Sequence, residues 1–506
     1  MIINRDEYVS KVLGCWMGKN IGGTLGAPFE WKRQVNDVTF YVQELKGEPP
    51  PNDDLDLQVL WLIALEEQGI EIDPFTLAEY WMLYITPHWS EYGTSKVNMR
   101  VGLVPPLCGT VNNVQKDSCG SFIRSEIWAC IAPGYPRLAA RYAYNDAIVD
   151  HGNGEGVYAE MFCAALESAA FVEKDINELI RIGLSYIPAD CGVAKAVKCV
   201  VQSHHSGLTW LEARDELLTH YRGSVKFNTI AQRDVEKGFN SGQPGWDAPD
   251  NIGITVLGLL YSEGDFDKLM SVTVNCGEDT DCTAATAGSI FGLVHGIEAI
   301  PPRWIEPIGR RIKTGFINLG ELAGQVPPDV DDLTERTERI MRQVLLRHKA
   351  RLDVAAGRPT DLAGLCPESL LAGPETAALL DNLGCPVYHF PFCDVAVDYG
   401  EAPIIFSGAP KTIRLRILNT YKVQTNVALR CYAPEGWRVR PARPGLAFIP
   451  HRWLSTKPTV VEFSVEADPV SEAFNRLVVE ITSPGRPTVM LVPIMLLNGD
   501  LAPVSS

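Results

Sequence analysis

Glycine recurs at every fourth position of "GCWMGKNIGGTLG", at Gly14, Gly18, Gly22 and Gly26. On a helix that spacing leaves one stripe without side chains, so another backbone can approach closely along it. Each interior glycine costs up to about 1 kcal/mol of helix propensity relative to alanine, so the pattern calls for a close packing partner, or for a loop over part of the run. A partner is present in "DCTAATAGSIFGLVHG". There Ala284, Ala285, Ala287, Gly288, Gly292 and Gly296 keep a second helix slim as far as "IPPRW". Two slim helices packed together bring whatever stands at their ends into one place.

What stands at the start of the second helix is acid: "NCGEDTDC" holds Glu278, Asp279 and Asp281. A second such start, "PPPNDDLDLQVLWL", places Asn52, Asp53, Asp54 and Asp56 ahead of a strongly apolar helix. Either cluster alone reads as capping, since acids in a first turn satisfy orphan N–H groups and suit the helix dipole. The pair says more. If both starts converge in the interior, four or more carboxylates share a site that stays ionised only with cations. Hard oxygen ligands suit Mg²⁺, Mn²⁺ or Ca²⁺, and the want of a His or Cys cluster argues against zinc. A two-metal centre that activates a water and polarises substrate oxygens is the chemistry to expect.

A chain of 506 residues exceeds what one core usually spans, so two domains are expected. Apolar positions recur at helical spacing over residues 1–347, as in "DLQVLWLIALEEQG", "GEGVYAEMFCAALESAAFVEK" and "DLTERTERIMRQVLLRHKARL", and predict an all-helical domain. Residues 348–385, rich in Pro and Gly, read as a linker. Residues 386–506 alternate over "TIRLRILNTY", "TNVALRCYA", "VVEFSVEA", "RLVVEIT" and "TVMLVPIML" and predict a small C-terminal β-sandwich. The fold class is therefore mainly α with an accessory β domain.

The net charge of -17 and the lack of a basic stripe argue against a nucleic-acid partner. The first residues, "MIINRDEYVSKVLGCW", lack the pattern of a secretory signal, and no long uncharged apolar run predicts a membrane span. Thirteen cysteines without a C-x-x-C pair suit a reducing cytoplasm, as small buried hydrophobes.

These motifs carry a resemblance. "NDD" at Asn52, Asp53 and Asp54, and "DTDC" at Asp279, Asp281 and Cys282, resemble the T-D-D and D-x-D-T motifs of the ADP-ribosylglycohydrolase superfamily. "GGTLGAPFEW" is similar to its G-A-x-x-E turn, with Glu30 at the acidic position. "IAPGYPRLAARYAYNDAIVDHGNGEGVYAEMFCAALESAA" is similar to its A-P-x-G segment and T-H turn, with Asp150 where Thr precedes His151. The motifs resemble a bacterial branch with D-T-D-C more than the mammalian or nitrogenase-regulating enzymes of the superfamily.

The resemblance implies hydrolysis at an anomeric carbon of an ADP-ribosyl or related ribosyl substrate, small or protein-linked, through a binuclear Mg²⁺ or Mn²⁺ centre. The implied ligands are Asp53, Asp54, Asp279 and Asp281, with Asn52 and Cys282 where Thr is usual. Thr283 is a substitute for the missing hydroxyl, and Asp56 an extra acid. Glu30 is the expected acid/base or gating residue, and Asp53 and Asp54 serve catalysis through the metals. His151, in a glycine-rich turn, and Trp89, Tyr92, Trp246 and Asp247, in "TPHWSEYG" and "GQPGWDAPDN", are expected to meet substrate. Two alternatives stand beside this. One is a glycosidase for another small sugar conjugate, its β domain facing carbohydrate through Trp437 and Trp453. The other is a non-catalytic, crystallin-like protein, against which the four aspartates speak. A homo-oligomer is compatible with the sequence.

Overall fold

The computed structural model describes residues 1–222, 232–237, 246–442, 445–455 and 457–501. The chain divides into two compact units, Met1–Gly93 with Val114–Leu379, and Thr94–Asn113 with Leu380–Ser506.

In the first unit the glycine run is helical throughout, as α1 (Arg5–Gly26). Asn4 caps it by accepting hydrogen bonds from the N–H groups of Asp6 and Glu7. The other acidic or slim helices are α2 (Asp53–Gln68), α3 (Ala248–Tyr261) and α4 (Thr280–His295). The remaining predicted helices form at Glu155–Ala169, Gly192–His205 and Val330–Arg347.

α1 and α4 run antiparallel with their backbones in contact. A Cβ on Gly18 would lie 2.1 Å from the Gly288 carbonyl oxygen, one on Gly22 2.2 Å from Ala284, and one on Gly26 2.3 Å from the Thr280 carbonyl oxygen. The requirement is mutual, since a Cβ on Gly292 would lie 2.1 Å from Gly14. The C-terminal end of α1 therefore meets the N-terminal end of α4, and Thr280 Oγ1 donates to the Gly26 carbonyl at 2.8 Å to fasten the two.

Two boundaries differ from the reading by composition. Residues 348–385 do not simply link: β2 (Asp353–Ala355) pairs in parallel with β1 (Ile2–Asn4), Ile3 opposite Val354, so the first unit also contains strand. Thr94–Asn113 clusters with the β-rich unit. Its apolar residues Leu103, Leu107, Cys108 and Val111 belong to the same buried cluster as Ile413, Leu415, Val479 and Ile494. A helical periodicity reports that one face is apolar, and says nothing of which core covers it.

In the β-rich unit the predicted strands form at Lys411–Asn419, Thr425–Tyr432, Thr459–Glu466, Phe474–Thr482 and Val489–Asn498, within two five-stranded sheets. Their inward residues fill one cluster, Ile413, Leu415 and Ile417 alternating with outward Arg414 and Arg416. Trp437 is packed against that cluster, while Trp453 is exposed. Among the described residues no helix is long and apolar enough to cross a membrane.

Candidate metal centre

The antiparallel packing of α1 on α4 gathers the acids. Past Gly26 the chain makes one tight turn at Ala27–Phe29 and delivers Glu30 beside α4. Side-chain oxygens of Glu30, Asp279 and Asp281 lie within 4.8 Å of one another. Asp279 precedes α4 without capping it, so its carboxylate is left for other work. Its N–H donates to Asn251 Oδ1 of α3 at 3.2 Å. Two non-glycine residues in the left-handed region frame the pair, Trp31 (φ 60) and Glu278 (φ 67), joined by Trp31 N–H donating to the Glu278 carbonyl at 2.9 Å. Such backbone persists only where its surroundings hold it.

α2 supplies the second set. Asn52 accepts from Asp54 N–H at 2.8 Å and so caps α2. Its side chain lies where a Cβ on Gly23 would stand, so the glycine admits it. Asp54 is wholly buried, and ligand atoms of Asp54, Asp281 and Cys282 lie within 4.8 Å of one another. A third trio, Cys119, Asp279 and Cys282, is equally close. The three groups share members, so the ends of α2 and α4 build one continuous centre.

A cavity of about 500 Å³ opens on it, lined by Glu30, Asn52, Asp53, Asp279, Asp281 and Cys282. Trp31, Trp89, Tyr92, Trp246 and Phe316 add aromatic surface. Trp31 and Trp246 lie 5.7 Å apart, as do Trp89 and Phe316, and the Tyr92 hydroxyl donates to Asp53 Oδ2 at 3.3 Å. No Lys or Arg lines the cavity among the described residues.

The carboxylates are held against their chemistry. Burial, with Asp281, Asp53 and Asp54 alongside, pushes Glu30 up to about 9. Burial and Asp281 push Asp53 up to about 6. Asp54 and Asp279 rise well above the carboxylate range, burial being the first cause in each, and Asp281 rises with them. Lys19 of α1 opposes the rise at Asp54 without cancelling it, its ammonium standing 3.9 Å from Asp54 and 2.7 Å from Glu126. Both oxygens of Asp54 and one each of Asp279 and Asp281 are buried with no hydrogen-bond partner. Buried carboxylate oxygens in this state call for protons or cations, and an oxygen-rich set of this kind fits divalent metal.

With that geometry in view, the comparisons with known proteins are decisive on family. The family model described as ADP-ribosylglycohydrolase matches residues 4–341. The chain belongs to the ADP-ribosylglycohydrolase family. It is similar to the ADP-ribosylarginine hydrolase Tri1 of Pseudomonas putida (strain GB-1), at 31% identity over 52 residues. That match spans 10% of this chain and 14% of the relative's length. A solved "ADP-ribosylglycohydrolase-related protein complex" is similar over 66% of this chain and 99% of its own, with 19% identity and a TM-score of 0.42. A FixG-related protein from Vibrio parahaemolyticus covers 22% of this chain and 99% of its own, with 12% identity and a TM-score of 0.18.

The structure places several of the residues expected from the family's motifs elsewhere. His151 does not line the cavity and is buried behind Glu91, which does, its Nδ1 2.9 Å from Asp150 and its Nε2 3.2 Å from Ser118 Oγ. Asp150 in turn receives Arg124, which makes this a buried ion network beneath the fold's surface. Asp247 precedes α3 and does not line the cavity, although Trp246 does. Thr283 is fully buried and donates to the Asp279 carbonyl at 3.0 Å, so its hydroxyl is spent inside α4. Glu278 turns from the centre to Arg33, at 2.6 Å, and to Arg222.

Asp56 also departs from its expected role as a spare acid. Its Oδ2 accepts from the N–H groups of Gly315 and Phe316, each at 2.7 Å, and so fixes the loop that brings Phe316 to the cavity. Asp56→Ala leaves two backbone donors without their acceptor. The expected loss is about 1–3 kcal/mol in urea denaturation, and an unchanged midpoint would remove Asp56 from this role. The residues that sequence reasoning passed over are Cys119, Lys19, Trp31 and Phe316. Trp31 follows Glu30 and Lys19 lies on the glycine helix, whereas Cys119 and Phe316 reach the centre from distant parts of the chain.

Proposed function

We propose that this protein is a metal-dependent hydrolase that cleaves the glycosidic bond at the anomeric carbon of an ADP-ribosyl or related ribosyl substrate. The observation that carries the reading is the set of buried aspartate oxygens without partners at the mouth of an aromatic-lined cavity. Asp53, Asp54, Asp279 and Asp281 would hold two Mg²⁺ or Mn²⁺ ions, with Asn52 set aside as a cap. Bound there, the ions supply Lewis acidity toward substrate hydroxyls and a water of lowered pKa.

The chain's own part is to place and protect the reacting atoms. Trp31 and Trp246 offer faces for a base or sugar ring and keep water from the carboxylates behind them. Asp53, oriented by the Tyr92 hydroxyl, and Asp281 present negative charge where an oxocarbenium-like transition state develops positive charge. Glu30 carries a proton at its carboxyl at neutral pH, since burial and three aspartates hold it near 9. A carboxyl that holds a proton there is suited to give it to a leaving group and to take one back from a water. Glu30→Gln is expected to lower kcat by about a hundredfold while leaving calorimetric Mn²⁺ binding in place. Full activity in that variant would exclude Glu30 from proton transfer.

A second reading, a glycosidase for another small sugar conjugate, is favoured by one observation: no cationic side chain among the described residues lines the cavity to meet a diphosphate. One experiment separates them. The full chain with Mn²⁺ is incubated with ADP-ribosylated arginine and serine peptides and with a panel of uncharged glycosides, with and without chelator. Chelator-sensitive release of ADP-ribose supports the first reading, cleavage of uncharged glycosides alone the second, and turnover that survives chelation sinks both. The two sheets of the second unit are read as a β-sandwich accessory to this activity. The thirteen cysteines, none of them joined in a disulfide, accord with a reducing cytoplasm.

A further inference from the structure

The cysteines of this chain are scattered in sequence, yet two of them meet at the centre. Cys119, from the loop ahead of Phe122–Arg124, places its Sγ 2.8 Å from Asp279 Oδ2. Cys282, in the first turn of α4, brings a second sulfur to the same carboxylate. The two sulfurs and an Asp279 oxygen lie within 4.8 Å of one another, all three residues are buried, and Cys119, Cys282 and Asp279 all line the cavity. The remaining oxygen, Asp279 Oδ1, is buried with no hydrogen-bond partner. A single thiol among oxygen ligands would weaken a Mg²⁺ site. Two thiols brought to the same carboxylate build a different one.

We propose that Cys119, Cys282 and Asp279 form a thiolate-bearing position in the centre that takes a thiophilic divalent cation, Zn²⁺, in preference to Mg²⁺. The proposal rests on the metal-dependent reading and sharpens which metal the chain selects. Thiolates favour Zn²⁺, whereas Mg²⁺ keeps to oxygen. Three protein ligands with a fourth position open toward a cavity are the arrangement of zinc sites that act on a water or substrate. Binding replaces two thiol protons by one cation, and both protons leave to solvent. The trio of Asp54, Asp281 and Cys282 and that of Glu30, Asp279 and Asp281 keep oxygen-rich positions beside it, so the centre is mixed. Cys119 is thereby assigned as a ligand that no acidic motif contains.

The test uses the full chain freed of metal and titrated with Co²⁺, the spectroscopic stand-in for Zn²⁺. A sulfur-to-cobalt charge-transfer band in the near ultraviolet is expected, erased by added Zn²⁺ and untouched by added Mg²⁺. Cys119→Ser and Cys282→Thr should lose the band and lower the preference for Zn²⁺ over Mn²⁺ at least about tenfold, while Mn²⁺ binding persists. If a variant fails to fold, the wild-type spectrum alone decides. Cobalt bound with an all-oxygen spectrum overturns the thiolate position and leaves the metal centre standing. No cobalt, manganese or zinc bound at all overturns the metal-dependent reading as well.

Discussion

Asp281→Ala is expected to abolish Mg²⁺ and Mn²⁺ binding and to lower turnover on the order of a thousandfold or more. Asp281 is the residue that the acidic groups share, within ligand reach of Asp54 and Cys282 on one side and of Glu30 and Asp279 on the other. Its removal therefore strips a ligand from both oxygen-rich positions at once. Stability should move the opposite way. Without metal, Asp281 raises the charge cost of Glu30, Asp53, Asp54 and Asp279. The metal-free variant should accordingly melt no lower than the metal-free wild type, and Asp281→Asn should melt higher. The wild type gains about 2.7 kcal/mol at a cation concentration a hundred times Kd, and the variants gain none.

The pH dependence has a definite sign. Protonated carboxylates do not bind cations, and Asp53 holds its proton to about 6, so metal affinity should climb from about pH 5 to 7. An exposed acidic cluster would be saturated well below that range. Thermal shifts with and without Mn²⁺ across pH check both claims. A variant that is destabilised without metal, yet still shifted by Mn²⁺, would mark Asp281 as structural.

How much of this was legible beforehand follows from what each residue's signal depends on. The contact of α1 with α4 was readable because its cause is local to each helix: a backbone that must touch another backbone shows its glycines in its own sequence. The convergence of Asp53 and Asp54 with Asp279 and Asp281 was readable as a pair of motifs, and the pairing needed the helix packing to make sense. Cys119 was not readable, because one cysteine in "KDSCGSF" carries no mark of a partner 160 residues away. The expectation that zinc was disfavoured came from looking for clusters along the chain, whereas this one forms in space. Asp56 shows a second limit. It follows Asp53 and Asp54 in one helical turn, and only the position of Gly315 and Phe316 separates its work from theirs. His151 shows a third, since a glycine-rich turn looks alike whether its histidine faces a cavity or an internal carboxylate and serine.

Gly22→Val is expected to cost upward of about 4 kcal/mol and to leave the first unit unable to fold in isolation from chaperones or stabilising cations. A helix gains about 1 kcal/mol of propensity when an interior glycine becomes a better helix former, so propensity alone predicts a small benefit. Contact decides against it. The new Cβ would sit 2.2 Å from the Ala284 carbonyl group and 2.4 Å from the Ala285 amide nitrogen, both backbone, so no rotamer change makes room. The helices must separate, and with them Glu30 from Asp279 and Asp281. Gly23→Ala provides the contrast on the next position of the same helix. Its Cβ meets only the Asn52 amide group, at 2.1 Å, which can swing aside. That change should cost about 1 kcal/mol, the worth of the α2 cap it displaces. Soluble yield and melting temperature measured for the two variants separate the explanations. Equal, mild losses would mean that the glycine stripe is not what holds the two acidic ends together; a folded Gly23→Ala beside a collapsed Gly22→Val means that it is.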